Sequence, residues 1–165
     1  LFLFKYEDII RKKIIDYKFN EKAYLFETFS KIIINNEKIC GILKSYDIII
    51  PVPMYKKKEN KRGYNQSSLI AKNIAYEINV EYIDDCLIKI TNNQTQSKLK
   101  KIERISNVKG VYKLNNTQKI SNKNVILFFI NYSVYRHFNL LKNYFIPSAL
   151  SKFNVSNNGN PTTPE

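Results

Sequence analysis

The chain has 165 residues, 44% of them hydrophobic and 25% charged, and this length favours one compact core rather than two. Its formal net charge of +13 excludes an acidic, solvating protein and leaves anionic partners open. The two cysteines are too few for a disulfide scaffold or a zinc knuckle, so we expect a reducing, cytoplasmic setting. No apolar run approaches the roughly 20 residues of a membrane helix, so we expect a soluble chain without membrane insertion.

The basic charge has two interpretations. Lysine supplies 23 of the 27 basic residues and arginine only 4, and Lys, Ile and Asn all have A/T-rich codons. Genome composition therefore explains part of the charge, and an arginine-poor surface is not typical of bidentate phosphate or base contacts. A solvated lysine-rich face and a surface that binds nucleic acid both stay open.

The N-terminal region has the pattern of two amphipathic helices. Apolar residues recur at helical spacing from Tyr6 to Phe19 and again from Glu21 to Ile34. We expect residues 1–45 to form a helical segment that packs on the core. Because Leu1 is not an initiator methionine, we also expect the chain to be a fragment.

A strand, a basic loop and a helix are predicted next. Asp47 to Val52 is an Ile-rich run typical of a strand covered on both faces, and the prolines of Pro51-Val52-Pro53 end it. Met54 to Tyr64 is highly charged and has no apolar period, so it is predicted to be a loop. Asn65 then caps a helix with apolar residues on one side.

The remaining elements continue the alternation of strands and helices. Cys86 to Ile90 and Gly110 to Lys113 are predicted strands, and the polar stretch Thr91 to Asn107 between them is the expected mobile loop. Val125 to Ile130 has the pattern of a second buried strand. Helical spacing returns from Val134 to Phe145.

This alternation predicts an α/β layer fold, with a core over residues 46–150 and a disordered tail over residues 151–165. In open α/β sheets, ligands bind beyond the carboxyl ends of the strands. Pro51 to Met54 lies at such an end, the basic segment follows it, and the helix beginning near Asn65 directs its positive dipole end to the same crevice. We expect an anionic ligand, most simply a phosphate; the alternative is a solvated connector.

These residues carry a resemblance to a known family. The segment DIIIPVPMYKKKENKRGYNQSSLIAKNIA, from Asp47 to Ala75, resembles the central segment of the ComF family of competence-associated, phosphoribosyltransferase-like proteins. That pattern is a strand ending in Val-Pro-Val-Pro, a basic loop, Arg-Gly-Phe/Tyr-Asn-Gln and an Ala/Leu helix. The matching residues are Pro51, Val52, Pro53, Arg62, Gly63, Tyr64, Asn65 and Gln66.

A second block also resembles the family, and the whole resemblance covers roughly Tyr6 to Phe128. The block TQSKLKKIERISNVKGVYKL is similar to a family pattern of Gln-Ser/Ala-Gly-Leu, Glu-Arg, Asn-Val-Lys/Arg-Gly and an aromatic. The matching residues are Gln96, Ser97, Leu99, Glu103, Arg104, Asn107, Val108, Lys109, Gly110 and Tyr112.

The resemblance implies a type I phosphoribosyltransferase-like parallel sheet flanked by helices, and a family of enzymes that use phosphoribosyl pyrophosphate with Mg²⁺. It places the pyrophosphate pocket at Pro51, Val52, Pro53, Met54, Tyr55, Arg62, Gly63, Tyr64, Asn65 and Gln66. Within that pocket Arg62 is expected to be a charge-assisted donor. The resemblance places a mobile loop that closes over the site at Gln96, Ser97, Arg104 and Asn107.

The sequence departs from the family where the sugar phosphate would bind. After the strand that corresponds to Asn124 to Phe128, the fold normally carries two acids and then Thr-Thr-Gly or Ser-Thr-Gly. Here Phe129 and Ile130 stand where the acids are expected, and Tyr135 stands where a glycine is expected. We therefore expect a catalytically impaired form with an incomplete C-terminal part, and we assign no catalytic residue and no metal ligand. A reading-frame shift near codon 128 is our hypothesis for the departure.

The resemblance implies a role in DNA uptake during natural competence, with competence proteins or single-stranded DNA as partners. Two alternatives stay open: an active phosphoribosyltransferase that uses phosphoribosyl pyrophosphate, and a basic nucleic-acid-binding module.

Other reactive residue types have simpler explanations. Asp84-Asp85 is predicted to be a surface turn, and His137 has no visible acid partner for a triad or a metal site. Cys40 and Cys86 are predicted to be small core residues.

Overall fold

The structure, a computed structural model, describes residues 8–92 and 110–130. The described chain is a mixed α/β fold, and none of its helices combines the length and apolar character needed to cross a bilayer. The helices are α1 (Asp8–Phe19), α2 (Leu25–Ile34), α3 (Glu37–Lys44), α4 (Lys56–Arg62), α5 (Gln66–Ile78) and a 3₁₀ turn (Thr117–Ile120). The strands are β1 (Ile48–Pro51), β2 (Glu81–Tyr82), β3 (Leu87–Lys89), β4 (Tyr112–Leu114) and β5 (Val125–Phe128).

The central sheet has three parallel strands in the order β2-β1-β5, and β3 and β4 form a separate antiparallel pair. Ile49 lies opposite Tyr82 on one side and Ile126 on the other. All four residues of β1 are buried, as its continuous apolar run predicts. Strand pairing extends as far as Val52, whose amide donates to the Phe128 carbonyl over 2.9 Å.

Strand β1 is covered on both faces because its alternate residues enter two different apolar clusters. Ile49 belongs to the cluster formed with the helices, whereas Ile48 and Ile50 belong to the cluster formed with the β3–β4 side. The helical cluster consists of Tyr17, Leu25, Phe29, Ile33, Ile39, Leu43, Ile49, Ile70, Ala71, Ile74, Ala75 and Ile78. The second consists of Ile48, Ile50, Ile83, Cys86, Leu87 and Ile120.

Helix α5 lies against β1 through the apolar face that the sequence predicts. Ile70 and Ile74 are fully buried, and Ala71 and Ala75 lie beside them with at most 1% of their surface exposed. Small side chains at these two positions let the helix approach its neighbours closely. Helix α2 packs on α5, so α5 is enclosed between the sheet and the N-terminal helices.

The prediction of a loop over Met54 to Tyr64 is wrong, because Lys56–Arg62 is helical. Helix α4 has no buried residue, so the absence of an apolar period said nothing about its conformation. Lysine is a good helix former, and Gly63 ends the helix with φ of 86° while its amide donates to the Glu59 carbonyl over 2.8 Å.

Two further sequence predictions need correction. Helix α3 was not predicted, although Asn36 caps it by accepting from the Ile39 amide over 3.1 Å and Ile39 and Leu43 are buried. The pattern of Val125 to Ile130 predicts a buried strand, but β5 covers only Val125–Phe128 and its four residues are half-buried. Within residues 8–92 and 110–130, β5 pairs with β1 alone, which leaves it at an edge of the described sheet.

Several predictions lie outside the described residues. These are residues 93–107 of the expected mobile loop, the predicted helix over residues 134–145, His137, and the tail over residues 151–165.

Candidate functional site

The predicted crevice lies at the carboxyl ends of β1 and β5, where one hydrogen bond joins the two strands and two more join them to the start of α5. Val52 pairs with Phe128 as described above, and Asn65 Nδ2 donates to the Val52 carbonyl over 3.1 Å. The Ile130 amide donates to Ser67 Oγ over 3.1 Å. The ends of both strands are thereby tied to the first turn of α5.

The predicted pocket residues form a continuous path around this crevice. Pro51 is buried in β1, and Asn65 and Gln66 are buried at the start of α5. The residues between them are half-buried or exposed. Val52, Pro53, Met54, Tyr55, Arg62 and Tyr64 are half-buried, and Gly63 is exposed. The predicted loop residues Gln96, Ser97, Arg104 and Asn107 lie outside the described residues.

Asn65 has two structural roles at this site. Its Oδ1 caps α5 by accepting from the Ser67 amide over 3.1 Å, while its Nδ2 binds the Val52 carbonyl. The amide side chain has both an acceptor and a donor, and both are used in a buried setting. The helix start is therefore fixed relative to the end of β1.

The Arg62 guanidinium is held by three different groups. Its Nη1 donates to Gln66 Oε1 over 2.8 Å and lies 3.7 Å from the Met54 sulfur. The guanidinium carbon lies 5.1 Å from the centre of the Phe19 ring, a cation–π distance. Burial lowers the pKa of Arg62 from its usual value. Sequence analysis singled out Arg62 but gave no indication of the contact with Phe19.

Helix α1 supplies two further contacts to the same segment. Tyr17 is fully buried and its hydroxyl donates to the Gln66 carbonyl over 2.8 Å. In return, the Tyr64 hydroxyl donates to the Tyr17 carbonyl over 2.7 Å. Burial raises the pKa of both phenols. Sequence analysis placed Tyr17 on the apolar side of a helix, and no local signal connected it with residues almost fifty positions away.

Helix α4 places four lysines in the segment that follows the end of β1. Lys56, Lys57, Lys58 and Lys61 on α4 are all exposed. Lys89, on β3, lies with its ammonium 5.6 Å from the centre of the Tyr112 ring. Burial, with a smaller effect of nearby Lys58, lowers the pKa of Lys89 to about 8. Cations from two separate elements therefore face the same region.

The partly buried lysines predict an unusual dependence of stability on pH. Burial also lowers the pKa of Lys18 to about 8, as it does for Lys89. Between pH 8 and 10 the unfolded chain keeps protons that the folded chain has released, so the free energy of unfolding rises with pH. Above about pH 10 the effect reverses, because burial raises the pKa of Tyr82 and of Tyr112 to about 12.

Urea unfolding at pH 8, 9 and 10 measures this effect. We expect Lys89→Met to reduce the rise in stability between pH 8 and 10, with Lys72→Met, at an exposed position of α5, as the matched control. A stability that stays constant or falls over this pH range in the unsubstituted protein would contradict the prediction.

The end of β5, where the resemblance leads us to expect two acids, is apolar. Phe129 and Ile130 are half-buried, and Ile130 packs against the helical cluster. The acidic pair Asp84-Asp85 follows β2 instead. Asp84 accepts from the Tyr82 hydroxyl over 3.2 Å, and Asp85 pairs with Lys119 over 2.6 Å. The hydrogen bond from Lys119 holds the pKa of Asp85 below its usual value.

The side chains that the structure describes do not form a magnesium cage. Over residues 8–92 and 110–130, no three His, Cys, Asp or Glu residues come together as metal ligands.

Together these features define a class: an α/β protein with a parallel sheet whose middle strand is followed by a lysine-rich helix. The chain is similar to two proteins named for competence. It is 25% identical over 101 residues to Competence protein F of Haemophilus influenzae, a match to 59% of this chain and 44% of that protein. It is 27% identical over 103 residues to Competence protein ComFC of Bacillus subtilis, a match to 62% of this chain and 40% of that protein.

The chain thus spans less than half the length of either relative. No family model matches the sequence. No solved structure matches it either.

Proposed function

We propose that this chain is a competence-associated protein with a type I phosphoribosyltransferase-like fold, acting in DNA uptake on the cytoplasmic side. The similarity to two competence proteins supports the association. The observation that carries the proposal for the site is the convergence of the Pro-Val-Pro end of β1, the basic helix α4 and the capped start of α5. The crevice has cations and a helix start that suit pyrophosphate, and it lacks the two acidic residues that would bind ribose.

The pyrophosphate side is supported by charge and by backbone geometry. The α4 lysines supply positive charge next to the end of β1. Helix α5 has 13 residues, and its positive dipole end begins at Asn65, which is tied to the Val52 carbonyl. A diphosphate group placed here would meet cations on one side and a helix start on the other.

The sugar side is the reason for proposing catalytic impairment. Phosphoribosyl transfer builds positive charge at the anomeric carbon while pyrophosphate leaves, and groups that hold the ribose orient that carbon. Phe129 and Ile130 offer no side-chain acceptor for a ribose hydroxyl. The Ile130 amide is itself bonded to Ser67 Oγ. Hydrocarbon side chains therefore replace the proposed sugar contacts.

Calorimetric titration with Mg²⁺ and phosphoribosyl pyrophosphate, compared with inorganic pyrophosphate, tests this proposal. We expect phosphoribosyl pyrophosphate to bind more weakly than micromolar, with no gain in affinity over pyrophosphate and no turnover. Micromolar binding that depends on the ribosyl group would instead overturn the loss of the sugar site. Release of pyrophosphate with transfer of the phosphoribosyl group to an added nucleobase or amine acceptor would establish an active phosphoribosyltransferase.

A second candidate function, binding of single-stranded DNA, is favoured by the charge of α4. This helix carries four lysines, all of them exposed, so these side chains face solvent. Titration with a single-stranded oligonucleotide, in the same series, measures the affinity for single-stranded DNA and its dependence on salt. The slope of log K against log salt is about −0.7 for each phosphate contact in single strands, so four lysine contacts would give a slope of about −3.

A further inference from the structure

The last turn of α1 is joined to the segment from Arg62 to Gln66 by a closed set of contacts. The Tyr17 hydroxyl binds the Gln66 carbonyl and the Tyr64 hydroxyl binds the Tyr17 carbonyl. Gln66 Nε2 lies 3.5 Å from the Lys18 carbonyl, at the limit of a hydrogen bond. The Tyr17 and Tyr64 rings lie 5.9 Å apart between their centres. Two carbonyls near the end of α1 are thus capped by side chains from a distant segment.

The guanidinium of Arg62 is held through one nitrogen and one face. Both of its polar contacts, to Gln66 Oε1 and to the Met54 sulfur, use Nη1. The guanidinium also lies over the Phe19 ring. Within residues 8–92 and 110–130, Nη2 and Nε make no hydrogen bond. These two nitrogens form one edge of the planar group, and that edge matches two oxygens of a phosphate.

We propose that the last turn of α1 is a positioning element for Arg62, which it holds ready to bind two oxygens of a pyrophosphate group through Nη2 and Nε. The inference rests on the proposed function for the identity of the ligand. Tyr17, which lies outside the predicted pocket, acts through Arg62, and so does the Tyr64 hydroxyl, which donates to the Tyr17 carbonyl.

The physical reason is preorganisation. A free arginine side chain loses rotamer freedom when it binds, and this costs about 0.5–1.5 kcal/mol, a factor of roughly two to ten in affinity. In this structure Gln66 and Phe19 already restrict Arg62 before a ligand arrives. Tyr17 and Tyr64 hold Gln66 and the end of α1 together, so the restriction depends on both hydroxyls.

The first measurement needs no ligand. Side-chain Nε–H signals of arginine in ¹⁵N NMR spectra report how strongly a guanidinium is restrained, and the chain has only four arginines. Comparison with an Arg62→Lys spectrum assigns the Arg62 signal. We expect a high ¹⁵N heteronuclear NOE for this signal in the unsubstituted protein and a lower one in Tyr17→Phe and Tyr64→Phe. Tyr76→Phe, which removes a hydroxyl from a side chain that is 83% exposed, is the matched control and should leave it unchanged.

The second measurement is an NMR titration of the same four proteins with inorganic pyrophosphate. We expect Tyr17→Phe and Tyr64→Phe to bind pyrophosphate about two- to tenfold more weakly than the unsubstituted protein and the control. If the unsubstituted protein binds pyrophosphate and the two variants match the control, the positioning role is overturned and the proposed function stands. If none of the four proteins binds pyrophosphate, the proposed ligand and the proposed function are both wrong. The Arg62 Nε–H signal measured without ligand still tests the positioning role.

Discussion

Replacing Tyr17 with alanine is expected to destabilise the protein by about 3–5 kcal/mol, in the range of aromatic-to-alanine changes in cores. Tyr17 has no exposed surface, and its ring lies 5.5 Å from Phe29 and 5.9 Å from Tyr64 between ring centres. Removing the ring opens a cavity between α1, α2 and the segment that follows α4. It also leaves the Gln66 carbonyl without the hydroxyl that it accepts from.

Urea denaturation followed by circular dichroism measures this loss. The matched control is Tyr76→Ala, since Tyr76 is 83% exposed and its removal creates no cavity. We expect the control to change the free energy of unfolding by less than about 0.5 kcal/mol, as is usual for surface substitutions. Similar unfolding midpoints for the two variants would show that α1 does not pack on the core as described.

Ile49→Ala is the second substitution with a large expected effect, at about 2–5 kcal/mol. Ile49 is fully buried in the middle strand, between Tyr82 on β2 and Ile126 on β5. Its side chain faces the helical cluster, where Ile70 and Ile74 of α5 are also fully buried. Loss of three carbon atoms at this position leaves a cavity that neither the sheet nor the helix closes without moving.

The matched control for Ile49 is Ile9→Ala, which deletes the same atoms from a side chain that is 72% exposed on α1. Guanidinium denaturation of the two variants gives the difference directly. A change of less than about 1 kcal/mol for Ile49→Ala would place this strand outside the core and would contradict the central position of β1.

These two substitutions test two different parts of the structure that position the residues of the predicted crevice. Ile49 anchors β1, whose carboxyl end carries Pro51 and Val52, and Tyr17 anchors the segment that carries Arg62. The crevice is therefore built on one strand from the sheet and on one helix from the N-terminal region. Its geometry depends on both, although neither Ile49 nor Tyr17 lies among the predicted pocket residues.

The strand-to-helix order of the central segment could be predicted because its signals are local. The apolar run of β1, the proline at its end and the Asn65 cap of α5 each lie within a few neighbouring residues. The same local logic failed for α4, because a helix without a buried residue has no apolar period to detect. It also failed for β5, because the exposure of a strand depends on how many neighbours the sheet supplies.

The sequence by itself determined the alternating α/β order, the buried character of β1 and the concentration of positive charge after it, since these follow from composition and spacing along the chain. Only the tertiary structure decided that α1 supports Arg62. Tyr17 and Gln66 are 49 positions apart, and their hydrogen bond forms only after α1 packs beside α5. Contacts between residues so far apart in the chain leave no periodic pattern in a sequence, because they depend on how the helices and strands pack in the tertiary structure.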